Sequence, residues 1–158
     1  MLPREAVLCL VEAGPGVGAA TAEADAAANA AEAQAQAQAE TDRRVQLAAV
    51  LAVGSRAVWP ADCRPLWDRL PHAARERVAL AQHWQGDAVV FDAVLHHGPA
   101  SRRPALLQQL AARPGPIIGL TALAAADHAV PLERLVIERS LSINTAAAGG
   151  NASLMTIG

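Results

Sequence analysis

The run Ala6-Val7-Leu8-Cys9-Leu10-Val11, followed by Gly14-Pro15-Gly16-Val17-Gly18, restricts the fold more than any other stretch of this chain. A short, uninterrupted apolar run between Pro3 and a glycine cluster reads as a strand buried on both faces, the kind found in parallel sheets. The glycines make a turn, and the residues after them are strong helix formers. The chain thus starts as the strand–turn–helix unit of an α/β domain.

Whether a core can follow is a question of composition. The 158 residues suit one domain, and 53% are hydrophobic, though many of those are alanine. Aromatics are only 3%, so the core is expected to be aliphatic. The net charge is −2, which argues against nucleic-acid binding, a function that needs a basic face. Every basic side chain apart from histidine is arginine, and this, with the alanine load, suggests a GC-rich bacterial genome. Cys9 and Cys63 make no disulfide framework, and a reducing, cytoplasmic setting fits. No stretch approaches the ~20 apolar residues of a membrane span. Met1 to Glu5 lacks a signal-peptide pattern.

From Ala19 to Glu40 the chain is a tract of Ala, Glu, Gln and Asp. Ala33 to Ala39 alternates Ala with Gln, but these are helix formers and poor strand formers, so a solvated helix is predicted. Thr41-Asp42 would cap a second helix over Arg43 to Val53, with Gly54 at its C′ position. Arg56 to Trp59 reads as a strand stopped by Pro60. Helices are predicted over Pro65–Leu70, His72–Trp84 and Ser101–Ala112, the last with Pro104 in its first turn. Further strands are predicted within Asp87–Leu95, centred on Ala88-Val89-Val90-Phe91, and at Ile117–Leu120. The resulting β-α-β-α-β-α-β order predicts a Rossmann-like parallel sheet with helices on both faces.

The end of the chain is different. From Leu135 to Asn144 apolar and polar residues alternate with period two, the mark of a half-buried strand. Thr145 to Gly158 then carries no charged side chain. Loose termini are normally polar, so Leu154, Met155 and Ile157 call for a surface to cover them.

Few residues suggest chemistry. Gly14, Gly16 and Ala19 match the G-x-G-x-x-[G/A] dinucleotide fingerprint, in which glycines let backbone amides approach a pyrophosphate. The acid that the fingerprint expects about 20 residues on would fall inside the Ala/Gln tract. Pro15 stiffens the loop. Cys9 reads as a core residue and Cys63 as an ordinary loop thiol. His96-His97 would follow the third strand, and adjacent histidines on a strand diverge, so they chelate one metal poorly. His72, His83 and His128 read as surface residues. Trp59, Trp67 and Trp84 are expected to anchor helices rather than wall a ligand. No catalytic or metal-binding set emerges.

The segment Leu132 to Gly158 closely resembles the C-terminus of the bifunctional proline utilization A flavoenzymes, most specifically over Asn144-Thr-Ala-Ala-Ala-Gly-Gly-Asn-Ala-Ser-Leu-Met-Thr-Ile-Gly158. The resemblance implies a parent that oxidises proline to glutamate. An FAD-dependent proline dehydrogenase and an NAD-dependent glutamate-semialdehyde dehydrogenase would be joined by a tunnel. In the longer family members a non-catalytic domain, similar to an aldehyde dehydrogenase nucleotide domain, follows those modules, and its terminal motif packs on the dehydrogenase and closes the tunnel. Residues 1–131 would be that Rossmann-like domain, residues 132–144 a β-flap strand and residues 145–158 a docking motif.

By this resemblance the partner contacts are Leu141, Ile143, Asn144, Thr145, Gly149, Gly150, Asn151, Ser153, Leu154, Met155 and Ile157. The partner is the aldehyde dehydrogenase module of the same polypeptide or of a neighbouring protomer. Self-association through the flap is a further expectation. No cofactor is implied for this chain itself, and FAD and NAD belong to the parent. The parent would be cytoplasmic, with a peripheral place at the inner membrane as the alternative. A small nucleotide-binding module built on Gly14–Ala19 is the rival reading.

Overall fold

A computed structural model describes residues 1–12 and 22–138, with side chains from residue 28 onward in the second stretch. The first apolar run forms strand β2 (Ala6–Val11) as expected, behind a two-residue strand β1 (Leu2–Pro3). The rest of the sheet comprises β3 (Arg56–Pro60), β4 (Val78–Ala81), β5 (Ala93–His97) and β6 (Gly119–Leu123). Its order is β4-β3-β2-β5-β6, and every neighbouring pair is parallel. The sheet grows outward from β2 in one direction, then from β5 in the other. This is the doubly wound, Rossmann-like order, with its reversal point between β2 and β5.

Period-two alternation splits the core into two layers. Val7 and Cys9 face helix α1 (Ala22–Ala52), where Leu47 and Val50 meet them, together with Trp59 and Leu95. Leu8 and Leu10 face the other way, toward Leu106 and Leu110 of helix α4 (Arg103–Ala111), with Val94, Trp84 and Phe91. Helices α2 (Arg64–Asp68) and α3 (His72–Arg75) are single short turns between β3 and β4.

Thr41 and Asp42 do not cap a second helix; α1 runs through them as one element. The Thr41 hydroxyl bonds the Ala37 carbonyl at 3.0 Å, and Asp42 accepts from Gln38 at 2.8 Å. Both side chains find partners one helical turn back, so neither is left to stop the helix. The end at Gly54 is as read from the sequence. Gly54 has φ +84°, its amide bonds Leu51, and the Ser55 amide bonds Val50, which makes a Schellman end.

Three further boundaries differ from expectation. His72–Trp84 is not one helix, because Val78 to Ala81 leave it to pair with Ala57 to Pro60. Three apolar residues are too few to separate a helical from a strand period. Ala88 to Phe91 is a loop rather than a strand, and the strand begins at Ala93. The Arg113 guanidinium donates to the carbonyls of Trp84, Gly86 and Val89, so this loop needs no ladder partner. The Ile117–Leu120 strand starts instead at Gly119, leaving Ile117 fully exposed.

With 31 residues, α1 is about 46 Å long, whereas the six residues of β2 span about 20 Å. Buried positions begin at Asp42 and include Gln46, Leu47, Ala49 and Val50, while none from residue 28 to residue 41 is buried. The last third of α1 therefore covers the sheet, and its earlier part projects past the carboxyl ends of the strands. Among the described residues no helix is long and apolar enough to cross a membrane.

Candidate functional site

Doubly wound sheets bind ligands at the carboxyl ends of their strands, at the reversal point. Here that place is the mouth between β2 and β5, and Glu12 occupies it. The Glu12 amide bonds the His97 carbonyl at 2.9 Å, which ties the two strand ends together. Its carboxylate meets Arg102 Nε at 2.8 Å and lies 3.6 Å from His96 Nε2. A protein carboxylate thus stands at the reversal point, paired with Arg102. The cleft beside it, lined by Glu12, Gly98, Pro99, Ala100, Arg103 and Ala124, holds about 270 Å³. Ligand pockets run from roughly 300 to 1,000 Å³, so this one is small.

His96 and His97 lie within β5 rather than after it, and both are fully buried. They point to opposite faces, as adjacent strand residues must. Burial lowers the pKa of His96, with Glu12 pulling the other way. Its ring packs so closely on Gly98 that a Cβ there would sit 2.9 Å from ring atoms.

His97 faces α1. Gln46 Nε2 donates to the Leu10 carbonyl at 2.9 Å and lies 2.8 Å from His97 Nδ1. A carbonyl can only accept, so the Asp127 carbonyl beside Nε2 requires a proton there, and the neutral ring's Nδ1 accepts from Gln46. Nε2 donates to the Asp127 carbonyl at 2.7 Å. Beside this chain, the buried Asp42 accepts the Ala126 amide at 3.2 Å on each oxygen, and Ala126 holds φ 63°. The network pins the segment leaving β6 to α1. Sequence reasoning missed it, because its members lie 30 to 84 positions apart and carry no local signature.

Neither cysteine offers a reactive group. Burial pushes the thiols of both Cys9 and Cys63 up to about 12, which keeps them protonated and unreactive. Cys63 is a free but buried thiol at the end of the 3₁₀ turn Ala61–Cys63 rather than in a loop. Among the described residues no three His, Cys, Asp or Glu side chains gather as a metal site would need. The second parallel strand, β3, is followed by Asp62, whose carboxylate pairs with Cys63 Sγ at 3.3 Å. The tryptophans are dispersed. Trp59 is in the core, Trp67 bonds the Val78 carbonyl and Trp84 meets Phe91 edge-on.

Gly14, Gly16 and Ala19 lie outside the described residues, as do Leu141, Ile143, Asn144, Thr145, Gly149, Gly150, Asn151, Ser153, Leu154, Met155 and Ile157. The start of the alternating stretch is described. Leu135 is buried in the α1-side core, and Val136–Ile137 form β7, antiparallel to β1.

No protein-family profile matches the chain. Over 160 aligned residues covering all of it, the chain is 45% identical to Bifunctional protein PutA of Escherichia coli (strain K12). It is 44% identical over the same length to Bifunctional protein PutA of Salmonella typhimurium. Across 68% of the chain it is 46% identical to the Klebsiella aerogenes protein of that name. The chain spans only 8% to 10% of the length of these curated relatives. The likeness read from the terminal motif therefore extends along the whole chain.

Proposed function

We propose that this chain, similar along its whole length to about a tenth of the bifunctional PutA proteins, is a non-catalytic structural domain of such an enzyme. The observation that carries the reading is that whole-length similarity. In this reading the parent oxidises proline to glutamate in two steps, using FAD in the first module and NAD in the second. The domain packs on the aldehyde dehydrogenase module, of its own polypeptide or of a neighbouring protomer, and its terminal segment helps seal the path of the intermediate.

The chemistry at the sheet edge supports a structural role. A nucleophile needs a lowered pKa or an adjacent base, and both thiols are buried and protonated instead. The test is kinetic. Deleting Thr145–Gly158 from the parent is expected to reduce proline-to-glutamate flux and leave flavin reduction by proline unchanged. Unaltered coupled flux would contradict the lid role.

One observation favours the rival nucleotide-binding reading, namely the doubly wound strand order with its reversal beside residue 12. A nucleotide that binds the folded chain must raise its melting temperature. Titration with NAD is expected to leave it unmoved, because the crevice is small and the Glu12 carboxylate that lines it repels phosphate; a saturable rise would support the rival.

A further inference from the structure

After β6 the chain returns along the α1 side of the sheet without joining its ladder. It leaves β6 at Leu123, whose carbonyl accepts the Gly98 amide at 3.1 Å. It is fixed again at Leu135, which is buried in the α1-side core and whose carbonyl accepts the Arg4 amide at 3.2 Å. Between these two points Ala124–Pro131 forms neither strand nor helix, and no residue from 124 to 134 is buried. The segment is a strap that runs from the carboxyl end of the sheet back to its amino end.

Polar contacts at one place hold the strap. Both oxygens of the buried Asp42 carboxylate accept the Ala126 amide, and His97 Nε2 donates to the Asp127 carbonyl. Between those contacts Ala126 has φ 63°, and among the described residues it is the one non-glycine residue with positive φ. Alanine adopts this conformation at a cost, because its Cβ crowds the following carbonyl. Such strain persists only where the surroundings impose it, and it collects in segments that switch. Of the strap's side chains, Val130 packs on the core. A segment with so little buried apolar surface belongs to the least stable part of a fold. The strap is also a wall, because Ala124 and Ala125 line the cleft of about 270 Å³ at the reversal point, beside Glu12, Gly98 and Arg103.

We infer that Ala124–Pro131 is a latched strap that opens as a unit while the sheet stays folded, with Asp42 and His97 as the latch and Ala126 as the strained residue that favours release. Opening takes away one wall of the cleft and uncovers the Asp42 carboxylate and the His97 imidazole. It also frees Ala126 to return to negative φ. This behaviour is a property of the domain itself and does not rest on the proposed function.

Amide hydrogen exchange of the whole chain tests the inference, read residue by residue by NMR at rising urea below the unfolding transition. The Asp127 and Val130 amides, which bond within the strap, are expected to be protected and to exchange at a rate that urea does not change, because opening exposes little surface. Amides of β2 and β5 are expected to exchange faster as urea rises. Asp42→Ala keeps a good helix former in α1 and removes the acceptor, so it should speed the strap amides by about tenfold or more. Ala126→Gly relieves the left-handed strain and should slow them several-fold. Strap amides that follow urea in step with β2 and β5 overturn the inference, since the strap then opens only when the whole chain unfolds. Strap amides with no protection overturn it too, since nothing is then latched. So does a folded Asp42→Ala chain with unchanged strap exchange. An Ala126→Gly chain whose strap exchanges as fast as the wild type's, or faster, also overturns it, whether or not Asp42→Ala folds.

Discussion

Gln46 and His97 are joined by a buried 2.8 Å hydrogen bond in which the histidine accepts. The same Gln46 amide also bonds the Leu10 carbonyl, so one side chain serves α1, β2 and β5. Replacing it with leucine strips the buried His97 Nδ1 of its donor and the Leu10 carbonyl of one of two. Each group left unsatisfied costs about 1–3 kcal/mol. Urea unfolding of Gln46→Leu should show an unfolding free energy lower by about 1–3 kcal/mol, read as a lower midpoint with an unchanged slope.

His96 makes stability depend on pH. Burial lowers its pKa from 6.5, Glu12 opposes this, and His97 and Arg103 add to the lowering. The unfolded chain takes up this proton as pH falls through about 6.5, and the folded chain only at lower pH. The unfolded state thus binds more protons in that window, and stability declines as pH drops below it. Urea midpoints at about pH 7.5 and about pH 5.5 should fall further for the wild type than for His96→Leu.

Gly98 is required by close approach. A methyl group there would meet the His96 ring at 2.9 Å and Glu12 Cβ at 3.3 Å. Gly98→Ala should destabilise the fold by roughly 1–3 kcal/mol through overpacking. Because the clash is with His96, the cost should shrink when His96→Ala is already present, which a double-mutant cycle measures.

Gly54 is required by conformation instead. Its nearest foreign atoms, on Pro3, are 3.9 Å from a built Cβ, so there is room, but φ is +84°. Gly54→Ala should cost about 1–2 kcal/mol, the penalty of a left-handed alanine, with the thermal transition otherwise unchanged.

The residues that could be read in advance are those whose cause is local. Ala6 to Val11 is apolar on both faces because β2 is buried on both, and Gly54 ends a helix because glycine tolerates its φ. The terminal motif also carried its likeness in its own residues. What escaped was decided at a distance. Val78 to Ala81 became a strand only because β3 offered an edge. Ala88 to Phe91 became a loop because Arg113, 24 positions on, takes the Val89 carbonyl. Thr41 and Asp42 resemble a cap until their partners at Ala37 and Gln38 are seen. Nothing near Glu12 announces Arg102, 90 positions away.

The most direct test of the central claim is reconstitution in two pieces. The 158-residue chain, with and without Thr145–Gly158, is added to a PutA enzyme that lacks the matching segment, and NADH formation from proline is followed. Binding and recovery of coupled activity by the whole chain, with neither from the shortened one, is the expected result. Equal recovery by both forms, or no binding by either, would contradict a domain that docks by its terminal segment.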